Sequence, residues 1–289
     1  MPKTLQEILE NAREYKWALP HFNISNLEQL KGICEAAKNL RAPVLIGTSE
    51  GERDFIGLHQ ATALIKSFKD KGVCIWLNAD HTFSVKAAKE AIDAGYESIH
   101  IDLSKKSFSE NIAGTREVVN YAHKKNHLIS VEGELGYLVT ESSRVYKEKV
   151  FVNPSTFTKA DEAQEFVKKT GINRFAPAVG NLHGIAANRP KLDFNLIKKL
   201  RGIVPNNVAM VLHGGSGNRP EVFKKVIKLG FNNIHISTEL RLSYRNALDK
   251  SLKTKKDEIA PYKIMQSAVE TTAKKAEYFI KLFGAKNRI

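Results

Sequence analysis

Short apolar runs recur along the chain, and between them lie segments in which apolar residues return every three or four positions. The runs are Ala18–Phe22, Pro43–Gly47, Val73–Asn78, Ser98–Asp102, Leu128–Glu132, Arg174–Ala178, Ala209–His213 and Asn233–Ser237. Their length and composition predict strands. The segments Leu27–Lys38, Ile56–Lys71, Val85–Ala94, Glu110–Lys125, Lys159–Thr170 and Glu221–Leu229 carry the helical period. Strict alternation of strand and helix implies a parallel sheet, and eight repeats favour its closure into a single (β/α)₈ TIM barrel. A doubly wound open sheet is the other arrangement for such a pattern, but no GxGxxG follows the first strand. No stretch rich in Pro, Gly or Ser divides the chain, so residues 1–289 are expected to form one domain. The part after the eighth strand reads as extra C-terminal helices, packed outside the barrel or against another subunit. One connection, from Leu135 to Lys159, is long and shows no convincing element. Long loops in compact domains usually serve as lids.

Composition changes this picture little. Apolar residues make up 42% and charged residues 26% of the 289, as in ordinary globular chains. The two cysteines, Cys34 and Cys74, form no CxxC and are expected to be reduced. The N-terminus lacks a basic segment followed by an apolar one, and no run of about 18 apolar residues could span a bilayer. A cytoplasmic location without membrane contact is the expectation. The net charge of +14 raises the question of nucleic acid. The lysines, however, are scattered as singles and pairs such as Lys105-Lys106 and Lys224-Lys225, with no basic run and no interleaved stacking aromatics. No nucleic-acid partner is expected. The charge reads either as a solvated surface or as a field that draws in a polyanionic small molecule.

In this fold the active site lies at the C-terminal ends of the strands. The third strand ends in Asn78-Ala79-Asp80-His81, the fourth in Asp102 and the fifth in Glu132-Gly133-Glu134. The sixth runs into Gly180-Asn181-Leu182-His183-Gly184, and the seventh ends in His213-Gly214-Gly215-Ser216-Gly217. Any one of these histidines alone reads as a capping or core residue. His81, His183 and His213 at one rim meet the need of a catalytic zinc, three neutral imidazoles and an open position. Beside a metal, Asp80 is suited to moving a proton. HGGSG alone could be a tight turn; followed one strand later by Ser237-Thr238, it reads as a phosphate cradle. Strand parity turns His21, His100 and His235 inward with Asn23, Asp102 and Ser237. They are either buried core histidines or partners that tune the metal's ligands.

The motifs ADH, EGELG, VGNLHG, LHGGSG and HISTELR, in that order from PHFN near residue 20 to about residue 250, resemble the class II, metal-dependent fructose- and tagatose-bisphosphate aldolase family. The resemblance implies zinc on His81, His183 and His213, with Asp80 as acid and base on the C4 hydroxyl. Asp102 and Glu134 match carboxylates that approach a second or displaced metal position. Gly184, Gly214, Ser216, Ser237 and Thr238 match the C1-phosphate cradle, the glycines bordering a monovalent-cation site for K⁺ or Na⁺. Asn23, Ser49 and His235 match positions facing the substrate, and Arg241 the arginine that some members use for the C6 phosphate. A homodimer or homotetramer is implied as well.

Three places depart from the family pattern. The lid usually carries Gly-Gly followed by an acid; here Val139-Thr140 precede Glu141, which becomes the expected catalytic base, with Glu148 further along the loop as fallback. His235 stands where Asn is usual, and Ser237 where fructose enzymes carry Asp and tagatose enzymes a small residue. Ala187 stands near the place of a lysine found in some members. A Schiff-base mechanism needs a desolvated lysine inside the barrel, and the strand candidates contain none. The resulting expectation is zinc-dependent cleavage of fructose 1,6-bisphosphate. The tagatose isomer, or a metal-binding barrel without aldolase activity, are the alternatives.

Overall fold

A computed structural model describes residues 4–138, 140, 143–188 and 191–289. Eight parallel strands close into a barrel in chain order. They are β1 (Leu19–Asn23), β2 (Val44–Thr48), β3 (Ile75–Thr82), β4 (Ser98–Ile101), β5 (Ser130–Leu135), β7 (Arg174–Pro177), β9 (Ala209–Leu212) and β10 (Phe231–Ile236). A separate two-stranded pair joins β6 (Val145–Tyr146) to β8 (Ile185–Ala186). Each expected strand is present, displaced by a few residues at its ends. The long connection is not wholly structureless: it contributes β6 and a 3₁₀ turn, Pro154–Thr156.

Helices alternate with the strands because their apolar stripes cover the barrel's outer face. α1 (Leu5–Glu14) opens on a Thr4/Glu7 capping box, and α2 (Leu27–Asn39) on Asn26. The segment expected as a helix over Ile56–Lys71 is α4 (Leu58–Lys69), and an unexpected short helix, α3 (Glu50–Ile56), precedes it across Gly57 at φ +91°. A left-handed residue cannot continue a helix, and glycine adopts it at no steric cost. α5 (Val85–Asp93), α6 (Phe108–Lys125), α7 (Ala160–Thr170), α8 (Phe194–Ile203) and α9 (Pro220–Lys228) complete the ring. α10 (Thr238–Thr254) and α11 (Pro261–Leu282) follow, α11 packing along α2 on the outside of the barrel. At that crossing Gly32 admits the α11 backbone so closely that a Cβ would lie 2.6 Å from the Val269 carbonyl oxygen. Cys34 is buried and Cys74 half-buried, and neither forms a disulfide.

Such barrels usually fill their interior with branched apolar side chains. Here the deepest level is polar. Arg174, fully buried, donates to Ser130 Oγ (3.2 Å), Asn233 Oδ1 (3.2 Å) and Asn78 Oδ1 (3.0 Å), and pairs with Glu132 at 2.7 Å. Asn78 Oδ1 also accepts from Ser98 (2.6 Å), so its amide nitrogen donates to His21 Nε2 at 3.1 Å and leaves the His21 proton on Nδ1. His21 in turn stacks on His235, ring centroids 3.5 Å apart. The inward direction expected for these histidines therefore holds, and a continuous polar column climbs from Arg174 to the rim.

Candidate active site

A bulge in β3 sets the geometry of the rim. Ala79 pairs with Ile99 but Thr82 with Ile101, so three steps on β3 match two on β4. The extra residue lies at Asp80-His81, where His81 takes φ +42°. Regular alternation would send one of two neighbours outward; the bulge lets both side chains line the same cavity of about 350 Å³.

Carboxylates hold the imidazoles from behind. Asp102 Oδ2 accepts from His81 Nδ1 at 2.9 Å, and Glu132 Oε1 accepts from His213 Nε2 at 2.6 Å. These bonds fix the tautomers and leave His81 Nε2 and His213 Nδ1 with free lone pairs. His183 Nε2 is buried without a hydrogen-bond partner. The His81 ring centroid lies 4.7 Å from those of both His183 and His213, which are 5.9 Å apart. Three imidazoles around one zinc would set their centroids roughly 5 Å apart, so the residues fit such an ion. Among the described residues, the four-residue groups whose ligand atoms lie within 4.8 Å of one another are Asp80, His81, His100 and His213, and also His81, His100, Asp102 and Glu134. His183, from the loop after β7, stands outside both. His100, expected only as an inward histidine, belongs to both: its Nδ1 accepts the His81 backbone N–H at 3.2 Å, and its Nε2 lies 3.3 Å from Glu134.

Electrostatics set the histidines apart: against the effect of burial, Asp80 raises His81 above its ordinary value and Glu132 raises His100 well above it. Burial, reinforced by His81, brings His183 down to about 3, and burial with His100 and His81 pushes His213 well below the usual imidazole range. Both are neutral at pH 7, as metal ligands must be. Burial alone would raise Asp80, but His81 and the nearby His100 and His235 rings hold it well below the usual carboxylate range. Burial and the neighbouring Asp102 raise Glu134.

Asn23 donates to Asp80 Oδ2 at 2.9 Å, fixing the carboxylate's orientation. His235, brought to about 3 by burial and by His213, lines the cavity with Nδ1 3.4 Å from Asp80. Ser49 lies across the cavity at the start of α3.

The expected cradle forms the far wall: Gly184, Gly214, Ser216, Ser237 and Thr238 all line the cavity. Ser237 Oγ is buried and unpartnered at the N-terminus of the 17-residue α10, whose first-turn N–H groups favour an anion. Two glycine amides of this loop are spent inside the protein: Gly215 N–H, in the wall, donates to the His235 carbonyl, and Gly217 N–H, beyond it, to Glu239.

Arg241 does not line the cavity wall; its guanidinium pairs with Glu52 and donates to Ser143 Oγ. The expected lid base Glu141 lies outside the described residues. Glu148 is exposed and absent from the lining. The connection after β5 is nevertheless tied to the loop that carries His183, since Thr140 Oγ1 donates to the His183 carbonyl at 2.8 Å and Ile185 N–H to the Arg144 carbonyl at 2.9 Å. Sequence reading assigned no role to Glu132, Arg174 or Glu52. Glu132 stood in the EGE motif at an inward position, which was the available signal; Glu52 lay in a loop-to-helix segment without one.

A family model described as fructose-bisphosphate aldolase class-II matches residues 3–288. The chain is 34% identical over 289 residues to a fructose-bisphosphate aldolase of Staphylococcus aureus, covering 99% of this chain and 98% of that one. It is also 34% identical over 266 residues to one of Geobacillus stearothermophilus, covering 91% and 90%. Among solved structures, the YdjI aldolase from Escherichia coli K12 superposes with a TM-score of 0.81 at 29% identity, covering 99% and 98%. A putative fructose-1,6-bisphosphate aldolase from Coccidioides immitis gives 0.83 at 25%, covering 98% and 96%.

Proposed function

This chain belongs to the class II fructose-bisphosphate aldolase family, and we propose that it cleaves fructose 1,6-bisphosphate reversibly to dihydroxyacetone phosphate and glyceraldehyde 3-phosphate with zinc held by His81, His183 and His213. The observation that carries this reading is the pair of carboxylates behind His81 and His213, which aims their remaining lone pairs into a cavity flanked by His183 and Asp80. A divalent ion bound there supplies a Lewis acid that polarises the C2 carbonyl and stabilises the charge left when the C3–C4 bond breaks.

The chain's own groups do the rest. Asp80 is ionised and held by Asn23, so it can take the proton of the C4 hydroxyl. As that proton leaves, C4 becomes the aldehyde carbon, and the C3–C4 electron pair passes into the enediolate of the three-carbon fragment. Glu141 returns a proton to C3 to complete dihydroxyacetone phosphate. Gly184, Gly214, Ser216, Ser237 and Thr238 receive the C1 phosphate, with K⁺ or Na⁺ beside the glycines, while Ser49 and His235 face the sugar. Glu134 and Asp102, with His81 and His100, offer a second position for the metal. Lys105 lines the mouth, but it is exposed and its ammonium lies 5.4 Å from the Tyr137 ring centroid, without the desolvation a Schiff-base amine needs.

No helix among the described residues is long and apolar enough to cross a membrane, consistent with a cytoplasmic enzyme. Exposed Leu252, Ile259 and Tyr262 on and beside the C-terminal helices support a homodimer or homotetramer.

The test combines metal analysis with inhibition. About one zinc per chain is expected from a three-histidine site, with activity abolished by chelator and untouched by borohydride plus substrate. Full activity in chelator together with borohydride inactivation would overturn the reading.

A further inference from the structure

Glu52, 7% exposed in the first turn of α3, is a carboxylate for which the reaction above has no use. Its Oε2 accepts from Asn23 Nδ2 (3.2 Å), from the Ser49 N–H (2.8 Å) and from Ser49 Oγ (2.9 Å). Its Oε1 accepts from Ser25 Oγ (2.9 Å) and pairs with Arg241, which also donates to Ser143 in the lid. A helix-capping carboxylate needs only the Ser49 bonds. This one also collects Asn23 from β1 and Arg241 from α10, so three residues expected to face the substrate converge on one anion.

The neighbouring Arg53 does not compensate for it. That guanidinium turns away, donating to the Asp80 carbonyl (3.2 Å) and Thr82 Oγ1 (3.1 Å). The Glu52–Arg241 pair is therefore neutral as a unit. A phosphate group reaching Arg241 has to displace a buried carboxylate or lie beside it, against like-charge repulsion. A hydroxyl group meets no such obstacle and can bond to either partner.

We infer that Glu52 is a specificity-determining residue: by holding Arg241 as a neutral ion pair, it lets the distal end of the site accept a hydroxyl-terminated ketose 1-phosphate nearly as well as a 1,6-bisphosphate. The inference rests on the aldolase reading and widens its substrate class to ketose 1-phosphates.

The test compares kcat/KM for fructose 1,6-bisphosphate and fructose 1-phosphate in the wild type, Glu52→Gln, Arg241→Met and the double variant, with the ratio of the two Kd values measured by calorimetry alongside. The wild type is expected to favour the bisphosphate by less than about tenfold. Glu52→Gln keeps most of the hydrogen bonds and frees Arg241, so the preference should rise about tenfold or more, the scale of one charge-assisted phosphate contact. The double variant should lose that gain. If Glu52→Gln fails to fold, Glu52→Ala, which also removes the carboxylate and frees Arg241, takes its place with the same expected rise. A preference unchanged or lowered when the carboxylate is removed, or a rise that persists in the double variant, overturns the inference, because Glu52 would then not be what withholds Arg241 from a phosphate. Failure of the aldolase reading looks different: neither ketose is cleaved, while the Kd ratios still report the selection.

Discussion

His81 is a β-strand residue at φ +42°, a conformation that costs about 1–3 kcal/mol and persists only where the surroundings enforce it. What enforces it is visible: the His81 N–H is bound by His100 Nδ1 and its Nδ1 by Asp102. Asp102 was expected as a metal ligand; in this arrangement its Oδ2 is occupied by His81, and its Oδ1 accepts from Ser104 Oγ at 2.6 Å. It serves first to hold the ring. Replacing Asp102 with Ala removes that acceptor and leaves the His81 tautomer unset. Zinc affinity, measured by competition with a chromophoric chelator, should fall about 10- to 100-fold with little change in secondary structure. An unaltered affinity would show that Asp102 contributes nothing to the site.

The loop between β9 and α9 shows how an element shapes a ligand wall. Gly214 sits at φ +64°, and a Cβ there would come within 1.9 Å of the Leu182 carbonyl oxygen, in the loop that carries His183. Backbone is packed against backbone, so no side-chain rotation can relieve the clash. Gly214→Ala must push the two loops apart, separating His183 and Gly184 from His213, Gly214 and Ser216. KM for the ketose phosphate should rise by about tenfold or more, from loss of at least one charge-assisted contact, while circular dichroism stays native. A KM within twofold of the wild type would show that the loops tolerate separation. The α3–α4 break at Gly57 works on the same scale: it ends α3 after two turns, so that this short helix, whose N-terminus carries Ser49 and Glu52 to the site, is independent of the direction of α4.

Across the whole molecule, the polar column inside the barrel is where stability and function are linked. Arg174 joins β7 to side chains on β3, β4, β5 and β10, and it neutralises Glu132, which in turn holds His213. The two charges are fully buried, and burial pulls the Arg174 guanidinium below its ordinary range despite Glu132. Arg174→Met would strand the carboxylate in the core, at a cost of about 3–5 kcal/mol. Urea denaturation should show this as a lower midpoint, and Glu132→Gln in the same chain should recover part of it. A loss below about 1 kcal/mol would mean that the interior admits water to Glu132.

The barrel and most of its rim were legible in the sequence because strands buried on both faces need unbroken apolar runs, and because motifs such as VGNLHG and LHGGSG fall at the strand ends where this fold carries its chemistry. Strand parity was enough to turn His21, His100 and His235 inward. α1, α3 and α8 are not among the helical segments expected from the pattern, although α1 and α8 are longer than α5 and α9, which are. Parity also could not place Asp80 and His81 on one face, since a bulge depends on the neighbouring strand's register. The partners of Asp102, Glu132 and Arg174 are set by which strands the closed barrel makes adjacent. The Arg241–Glu52 pair spans 189 positions of sequence. Local pattern determines which segments become strands and helices. Which charges meet across the barrel is decided only when it closes, because buried ions must find partners among whatever groups the packing brings within reach.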